Sequence, residues 1–141
     1  MVMFPRKVKF RKWQRGRKNP KKLRLATKGN KLVFGSLGLK SEESGEIKVN
    51  QIEAARKAIS RFIQKSGKVW IRIFPDKPLT AKPAEVGMGK GKGDPVGFVA
   101  RVKPGTIIFE VDGLGENISK EALRKAGAKL PVKTKIVMRN A

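Results

Sequence analysis

Catalysis by this chain would depend on its few acidic side chains, and only two of them are spaced to act together. Glu110 and Asp112 lie two residues apart in a stretch that alternates as a strand does, so both carboxylates fall on one face. Such a pair could bind a metal ion or serve as acid and base. A pair spaced by two on a strand is more often a solvated face that balances nearby lysines and arginines, which is the interpretation we favour.

The other common catalytic groups lack their partners. The chain contains no histidine and no cysteine, so a serine–histidine triad, thiol chemistry and a cysteine-based zinc site are excluded. A lysine nucleophile stays open in principle, although nothing in the sequence favours one. We therefore predict that the chain is not an enzyme, and that it uses no cofactor, no metal and no small-molecule substrate.

A loop rich in glycine and lysine, predicted over residues 75–97, has a different chemistry. It contains four prolines, five glycines and four lysines and no credible helix or strand. The spacing of its glycines matches neither a phosphate-binding loop nor a dinucleotide fingerprint. A flexible solvated loop is one interpretation; we favour a semi-rigid finger that RNA orders, with lysines reaching phosphates between side-chain-free positions. Its centre is Met88, Gly89, Lys90, Gly91, Lys92 and Gly93.

The N-terminal segment carries the largest excess of positive charge. Residues 1–41 hold 14 Lys or Arg and no carboxylate, so they contribute +14 of the formal net charge of +23 for the whole chain. Such a segment repels itself and buries little apolar surface, so we predict an extended arm over residues 1–30 that folds against a phosphate backbone. Trp13 lies in this arm, where no hydrophobic core is expected, so we favour stacking on a base or packing in a groove of the RNA for it. The sequence contains neither an amphipathic basic helix nor a long apolar span, so it does not favour a membrane as the partner.

The remainder, residues 31–141, must position these groups, and its periodicities predict one α+β domain with two helices on a mostly antiparallel sheet. Asn50, with Glu53 three residues on, resembles a capping box at the start of the first helix, which Gly67 would end. The second helix would run from Asn117 or Ser119 to Leu130. Its predicted apolar stripe is Ile118, Ala122, Ala126 and Leu130, with Leu123 beside it.

Alternation and turn residues predict the strands around these helices. In the strand 68–74 we expect Val69, Ile71 and Ile73 to pack on the first helix, and Trp70 to be a packing residue rather than a base-stacking one. Pro104-Gly105 would join two strands through a hairpin-like turn. The remaining predicted strands are 47–49, 98–103, 106–112 and 132–138.

Several stretches, in order, resemble one ribosomal protein family. Lys9–Lys12, Phe34–Leu39, Gln51–Arg56, Gly67–Pro78 and Met88–Gly93 are similar to the bacterial-type sixteenth protein of the large ribosomal subunit. The resemblance covers nearly the whole chain. It departs from the family at Gly87, where relatives usually carry arginine, and within residues 18–28, which look extended or divergent.

The resemblance implies an α/β hammerhead fold and a structural role in translation. It implies that the arm threads between helices of large-subunit rRNA, and that the loop at Lys90 and Lys92 points toward the aminoacyl-tRNA site near the peptidyl transferase centre. Large-subunit rRNA, aminoacyl-tRNA and neighbouring ribosomal proteins would be the partners, in the cytoplasm or an organelle. The predicted rRNA-binding residues are Arg6, Lys7, Lys9, Arg11, Lys12, Trp13, Arg15, Arg17, Lys18 and Lys77.

Two other classes of function compete with this one. A general nucleic-acid-compacting protein would explain the charge, but it has no need of an α+β core or a long loop. An RNA-processing enzyme would use Glu110 and Asp112 with a metal ion, and we expect no such turnover.

Overall fold

The computed structural model of the protein describes residues 5, 7, 12, 25–63, 67–81 and 94–139. Over these residues two helices pack against antiparallel sheets, which confirms the predicted α+β fold class. The elements in chain order are β1 (Leu37–Ser41), β2 (Gly45–Lys48), α1 (Val49–Ser60), β3 (Lys68–Ile71), β4 (Lys77–Ala81), β5 (Asp94–Val102), β6 (Ile107–Asp112), α2 (Glu116–Gly127) and β7 (Thr134–Met138).

The strands form two sheets, one of four strands in the order β3-β6-β1-β7 and one of three in the order β2-β5-β4. In the four-stranded sheet, Leu39, Phe109 and Ile71 form one row across β1, β6 and β3. This row faces the helices, where it packs into the apolar core. The adjacent row of Gly38, Glu110 and Trp70 therefore faces the other way, since successive residues of a strand point to opposite faces.

Helix α1 begins earlier than predicted, and a different residue caps it. It starts at Val49, and the backbone N–H of Lys48 donates to Oε1 of Gln51 at 2.9 Å. The predicted capping role of Glu53 is wrong, because its carboxylate pairs with Arg56 at 3.0 Å instead. An amide side chain at the third helical position satisfies the orphan N–H as well as a carboxylate does, so the cap moves by two residues, from Asn50 to Lys48.

Helix α2 has the predicted stripe with one exception. Ala122, Leu123 and Ala126 are fully buried, and Leu130 just beyond the helix is also buried. Ile118 is wrong as a stripe member, because it is 45% exposed and Ser119 is buried in its place. The buried residues Ser119, Ala122, Leu123 and Ala126 recur every three to four positions, as one face of a helix does, and Ile118 lies beside that face.

The predicted loop over residues 75–97 is wrong at both ends. Strands β4 and β5 pair antiparallel there, with Leu79 opposite Gly97 and Ala81 opposite Asp94. The prediction took Pro78 and Pro95 as signs of a loop, because proline lacks the N–H that pairs strands. Pro78 lies in an edge strand, however, and Pro95 lies beside a shift in register where a missing N–H is tolerated. Residues 82–93 lie outside the described part of the chain.

The predicted turn at Pro104-Gly105 forms, but it does not close a hairpin. The N–H of Thr106 donates to the carbonyl oxygen of Lys103 at 3.1 Å, and Gly105 has a φ of 98° that favours glycine. The strands on either side belong to different sheets, because β5 pairs with β2 and β4 whereas β6 pairs with β1 and β3. The turn therefore connects the two sheets.

Candidate nucleic-acid interface

Residues 25–36, which include the last six residues of the predicted arm, are fixed to the domain by backbone hydrogen bonds. Ala26 donates to the carbonyl oxygen of Pro104 at 2.9 Å, and Ile107 donates to that of Gly29 at 2.8 Å. At the other end, Ser36 donates to Val111 at 3.1 Å. The proposed division at residue 30 stays a prediction, but these contacts hold the segment on β6 from Ala26 onward.

One buried carboxylate fixes the middle of this segment. Oε1 of Glu110 accepts hydrogen bonds from the backbone N–H groups of Val33 at 2.8 Å, Phe34 at 3.1 Å and Gly35 at 3.1 Å. Its other oxygen, Oε2, pairs with the guanidinium of Arg72 on the segment that follows β3. Glu110 has no exposed surface, so the prediction of a solvated face is wrong for this residue. Asp112 is exposed and accepts a hydrogen bond from the N–H of Gly113.

The ionised form of Glu110 is stabilised by its hydrogen-bond partners. Burial alone would raise the pKa of this carboxyl, but the Arg72 guanidinium and the three N–H donors outweigh burial and hold the pKa below its ordinary value of 4.5. With every oxygen committed to these partners, the carboxylate serves as an anchor for segment 33–35. It does not form an acid–base pair with Asp112.

Two glycines allow the segment to lie this close to the sheet. A Cβ at Gly38 would stand 2.3 Å from Cδ2 of Leu32 and 3.0 Å from the carbonyl oxygen of Phe109. A Cβ at Gly35 would stand 2.5 Å from the carbonyl oxygen of Val111. The row that contains Glu110 and Trp70 therefore has no side chain at Gly38, and Leu32 occupies that space.

Cations without acidic partners surround the anchored segment. Within the described residues, no carboxylate lies within ion-pairing distance of these ammonium groups, and all but the half-buried Lys40 are exposed: Lys28, Lys31, Lys40, Lys103 and Lys135. Grooves on the two sides of the segment are lined by these lysines together with Arg72, Arg101 and Arg139, the largest about 530 Å³ in volume. Asp76 and Glu42 are the acidic residues that line them.

Large apolar side chains are exposed on this same surface. Among the residues that the structure describes, six large apolar side chains are exposed, and five of them belong to the segment or line its grooves. They are Leu25, Val33, Phe34, Phe74 and Met138. We call this surface, made of residues 25–36 with the flanking cations and apolar side chains, the basic face.

Several acidic residues elsewhere are neutralised by neighbours, but unpaired cations are not confined to the basic face, since Lys57, Arg61 and Lys129 also have no carboxylate partner among the described residues. Glu116 pairs with Lys120 at 2.8 Å on α2, and Glu121 pairs with Arg124 on the same helix. Lys77 takes part in another such ion pair, because its buried ammonium group pairs with Glu46. Its predicted contact with rRNA stays a prediction that this ion pair does not favour.

Most of the other predicted site residues lie outside the described residues. Lys7 and Lys12 are described and exposed. Beyond the described residues lie Arg6, Lys9, Arg11, Trp13, Arg15, Arg17, Lys18 and the loop Met88–Gly93. Sequence reasoning missed the anchor of Glu110, Arg72 and segment 33–35, although a single carboxylate between the apolar residues of Ile107–Val111 was a signal for it.

Two kinds of site receive no support from the part of the chain that the structure describes. None of its helices has the length and apolar character needed to cross a membrane. No three acidic side chains in it come together to hold a metal ion.

Comparison with known proteins identifies the family. Residues 5–137 match the family model described as ribosomal protein L16p/L10e. The chain is 58% identical over 138 residues to the large ribosomal subunit protein uL16 of Parabacteroides distasonis, a match that covers 98% of this chain and 93% of that protein. The predicted resemblance is confirmed, and the chain belongs to the ribosomal protein L16p/L10e family.

Proposed function

We propose that this chain is a structural constituent of the large ribosomal subunit that binds large-subunit rRNA through its arm and its basic face. Membership of a ribosomal protein family carries the assignment to the ribosome. The observation that supports rRNA as the direct partner is the basic face, where five lysines have no carboxylate partner among the described residues. Dense positive charge of this kind is neutralised most favourably by a phosphate backbone.

The arm is followed directly in the chain by the basic face, so the Glu110 anchor that fixes this face also fixes the end of the arm. Residues 1–24 carry 11 Lys or Arg, and the chain enters the domain directly after them at Ala26. Glu110 and Arg72 hold the segment that follows, so the arm leaves the domain from a fixed point. A fixed point of departure lowers the entropy that the arm loses on binding between RNA helices.

The salt dependence of rRNA binding tests this proposal. If about 8–10 phosphates are neutralised, we expect log Kd to change with log[KCl] with a slope of roughly 6–9. The full chain would be titrated with deproteinised large-subunit rRNA from 50 to 300 mM KCl, with random duplex DNA of equal length as the control. A shallow slope would contradict the proposal, and equal affinity for the DNA would favour a general nucleic-acid-compacting protein instead.

We further propose that the glycine–lysine loop helps to shape the aminoacyl-tRNA site near the peptidyl transferase centre. Lys90 and Lys92 alternate with glycines, so the backbone can approach RNA closely while both ammonium groups reach phosphates. This part of the proposal rests on the sequence and the family.

Replacing Lys90 and Lys92 together by alanine tests the role of the loop. We expect large subunits with this variant to form normally but to bind aminoacyl-tRNA more weakly, by about 100-fold if each lysine contributes a charge-assisted contact of about 1.5 kcal/mol. Incorporation would be measured by mass spectrometry of purified subunits, and tRNA binding by filter retention. The double variant Lys120→Ala and Lys125→Ala, on α2, is the charge-matched control. Poor incorporation together with normal tRNA binding by the subunits that do form would refute this role.

A further inference from the structure

The ring of Phe34 is exposed and yet held in a fixed orientation. Its backbone N–H donates to Glu110, and its side chain stacks on Trp70 with ring centroids 5.8 Å apart and planes inclined by 18°. The guanidinium of Arg72 lies 5.3 Å from the centre of the same ring. Despite these contacts the side chain is 51% exposed. A single exposed aromatic residue is ordinary, but one oriented by three neighbours presents a defined flat surface.

Cations lie beside this ring, and the exposed carboxylate on the same face of β6, Asp112, stands opposite Lys68 on β3. The carboxylate beneath it, Glu110, is buried and already paired with Arg72. Lys31 is exposed three residues before the ring, and the guanidinium of Arg139 donates to the carbonyl oxygen of Val33 beside it. A group that covers Phe34 therefore lies beside Arg72, Arg139 and Lys31, which favours an anionic partner.

We propose that the exposed ring of Phe34 stacks against an unpaired base of the bound RNA, with Arg72, Lys31 and Arg139 around its sugar-phosphate backbone. This inference rests on the proposed function and adds a specific recognition element to it. An aromatic ring next to a guanidinium is the surface on which single-stranded RNA bases stack. Because the fold has already fixed the ring, binding loses little side-chain entropy.

The partner is assigned to RNA rather than to a neighbouring protein because of the charge. A protein partner would have to place a separate carboxylate against each of Lys31 and Arg139, because neither has one among the described residues and buried unpaired charge is costly. A nucleotide brings its own phosphate, so one ligand satisfies both the ring and the cations.

Replacing Phe34 by leucine tests the stacking, because leucine keeps the apolar contact and removes the aromatic face. In the full chain we expect affinity for deproteinised large-subunit rRNA to fall by about 5- to 150-fold, with no change in the salt slope, since a base contact releases no counterions. Phe34→Tyr keeps the aromatic face and should lose far less affinity than Phe34→Leu. Ile118→Ala, which changes an exposed apolar residue on α2, is the control and should also leave binding unchanged.

Lys31→Gln supplies the contrasting result that separates stacking from charge. We expect this variant to lower the salt slope by about one phosphate contact, which Phe34→Leu must not do. If the wild type binds with a steep slope and Phe34→Leu binds equally well, the stacking is wrong and the proposed function stands. If the wild type itself shows a shallow slope, the proposed function fails, and the stacking inference fails with it.

A photoreactive phenylalanine analogue at position 34 gives an independent measurement in assembled large subunits. We expect the crosslinked product to be a nucleotide of the rRNA, identified by sequencing the attached fragment. A crosslink to a neighbouring protein would overturn the inference, because it would place a protein surface over the ring.

Discussion

Glu110→Gln will lower the free energy of unfolding at pH 7 by about 3–5 kcal/mol, because it breaks a buried ion pair and leaves Arg72 without its partner. The glutamine amide has the same shape, but it cannot both accept from three backbone N–H groups and compensate a guanidinium. Urea unfolding followed by circular dichroism measures the loss. Hydrogen exchange gives the local readout, since the amides of Val33, Phe34 and Gly35 should exchange faster.

The same anchor predicts how stability depends on pH. The pKa of Glu110 in the folded protein lies below its ordinary value of 4.5, so the anchor stabilises the fold fully above that value. The stabilisation is lost as the pH falls from 4.5 through the lowered pKa of the folded state. The difference in unfolding free energy between the wild type and Glu110→Gln should therefore be full at pH 7 and shrink in the acid range.

Glu121→Gln is the matched control for this experiment. Glu121 also has a lowered pKa, chiefly through its hydrogen bond with Arg124, but the pair is exposed to solvent on α2. Solvent screens such a pair, so its loss should change stability little. Equal effects of Glu110→Gln and Glu121→Gln would contradict the anchor, as would unchanged exchange at residues 33–35.

Patterns of alternation and periodicity in the sequence predicted most of the elements, because these patterns report which side of an element is buried. Val69, Ile71 and Ile73 do pack with the core, as predicted, whereas Trp70 stacks on Phe34 on the other face of β3. Strand β1 was missed because Gly38 interrupts its apolar pattern. The reason for that glycine is Leu32, which approaches from a segment with no regular structure, and such a contact has no local signature.

Pairing between strands that are distant along the chain also could not be predicted from the sequence. The turn at Pro104-Gly105 was recognised by its residues, but whether the flanking strands pair depends on β2, β4, β1 and β3. The proposed RNA-binding surface shows the same limit. Charge alone indicated a nucleic-acid partner, whereas the fixed ring of Phe34 depends on Glu110 and Trp70, which lie 76 and 36 positions away along the chain.

Deleting residues 1–24 will weaken binding to deproteinised large-subunit rRNA by at least about 100-fold at 150 mM KCl, because the deletion removes 11 Lys or Arg and no acidic residue. If about half of these cations contact phosphates, the slope of log Kd against log[KCl] should fall by roughly 4–5. The deletion ends just before the first residues fixed to the domain, since Ala26 still donates to Pro104. Filter binding of the truncated and full chains over a range of KCl concentrations measures both quantities.

The truncated chain also separates the arm from the basic face. Because the Glu110 anchor and segment 25–36 remain, its urea unfolding should match that of the full chain, and any loss of affinity then belongs to the arm. Residual binding should keep a smaller salt slope and should still weaken on Phe34→Leu, since that ring is on the part that remains. Unchanged affinity and slope after the deletion would show that the arm contributes no phosphate contacts, and would leave the basic face as the whole of the interface.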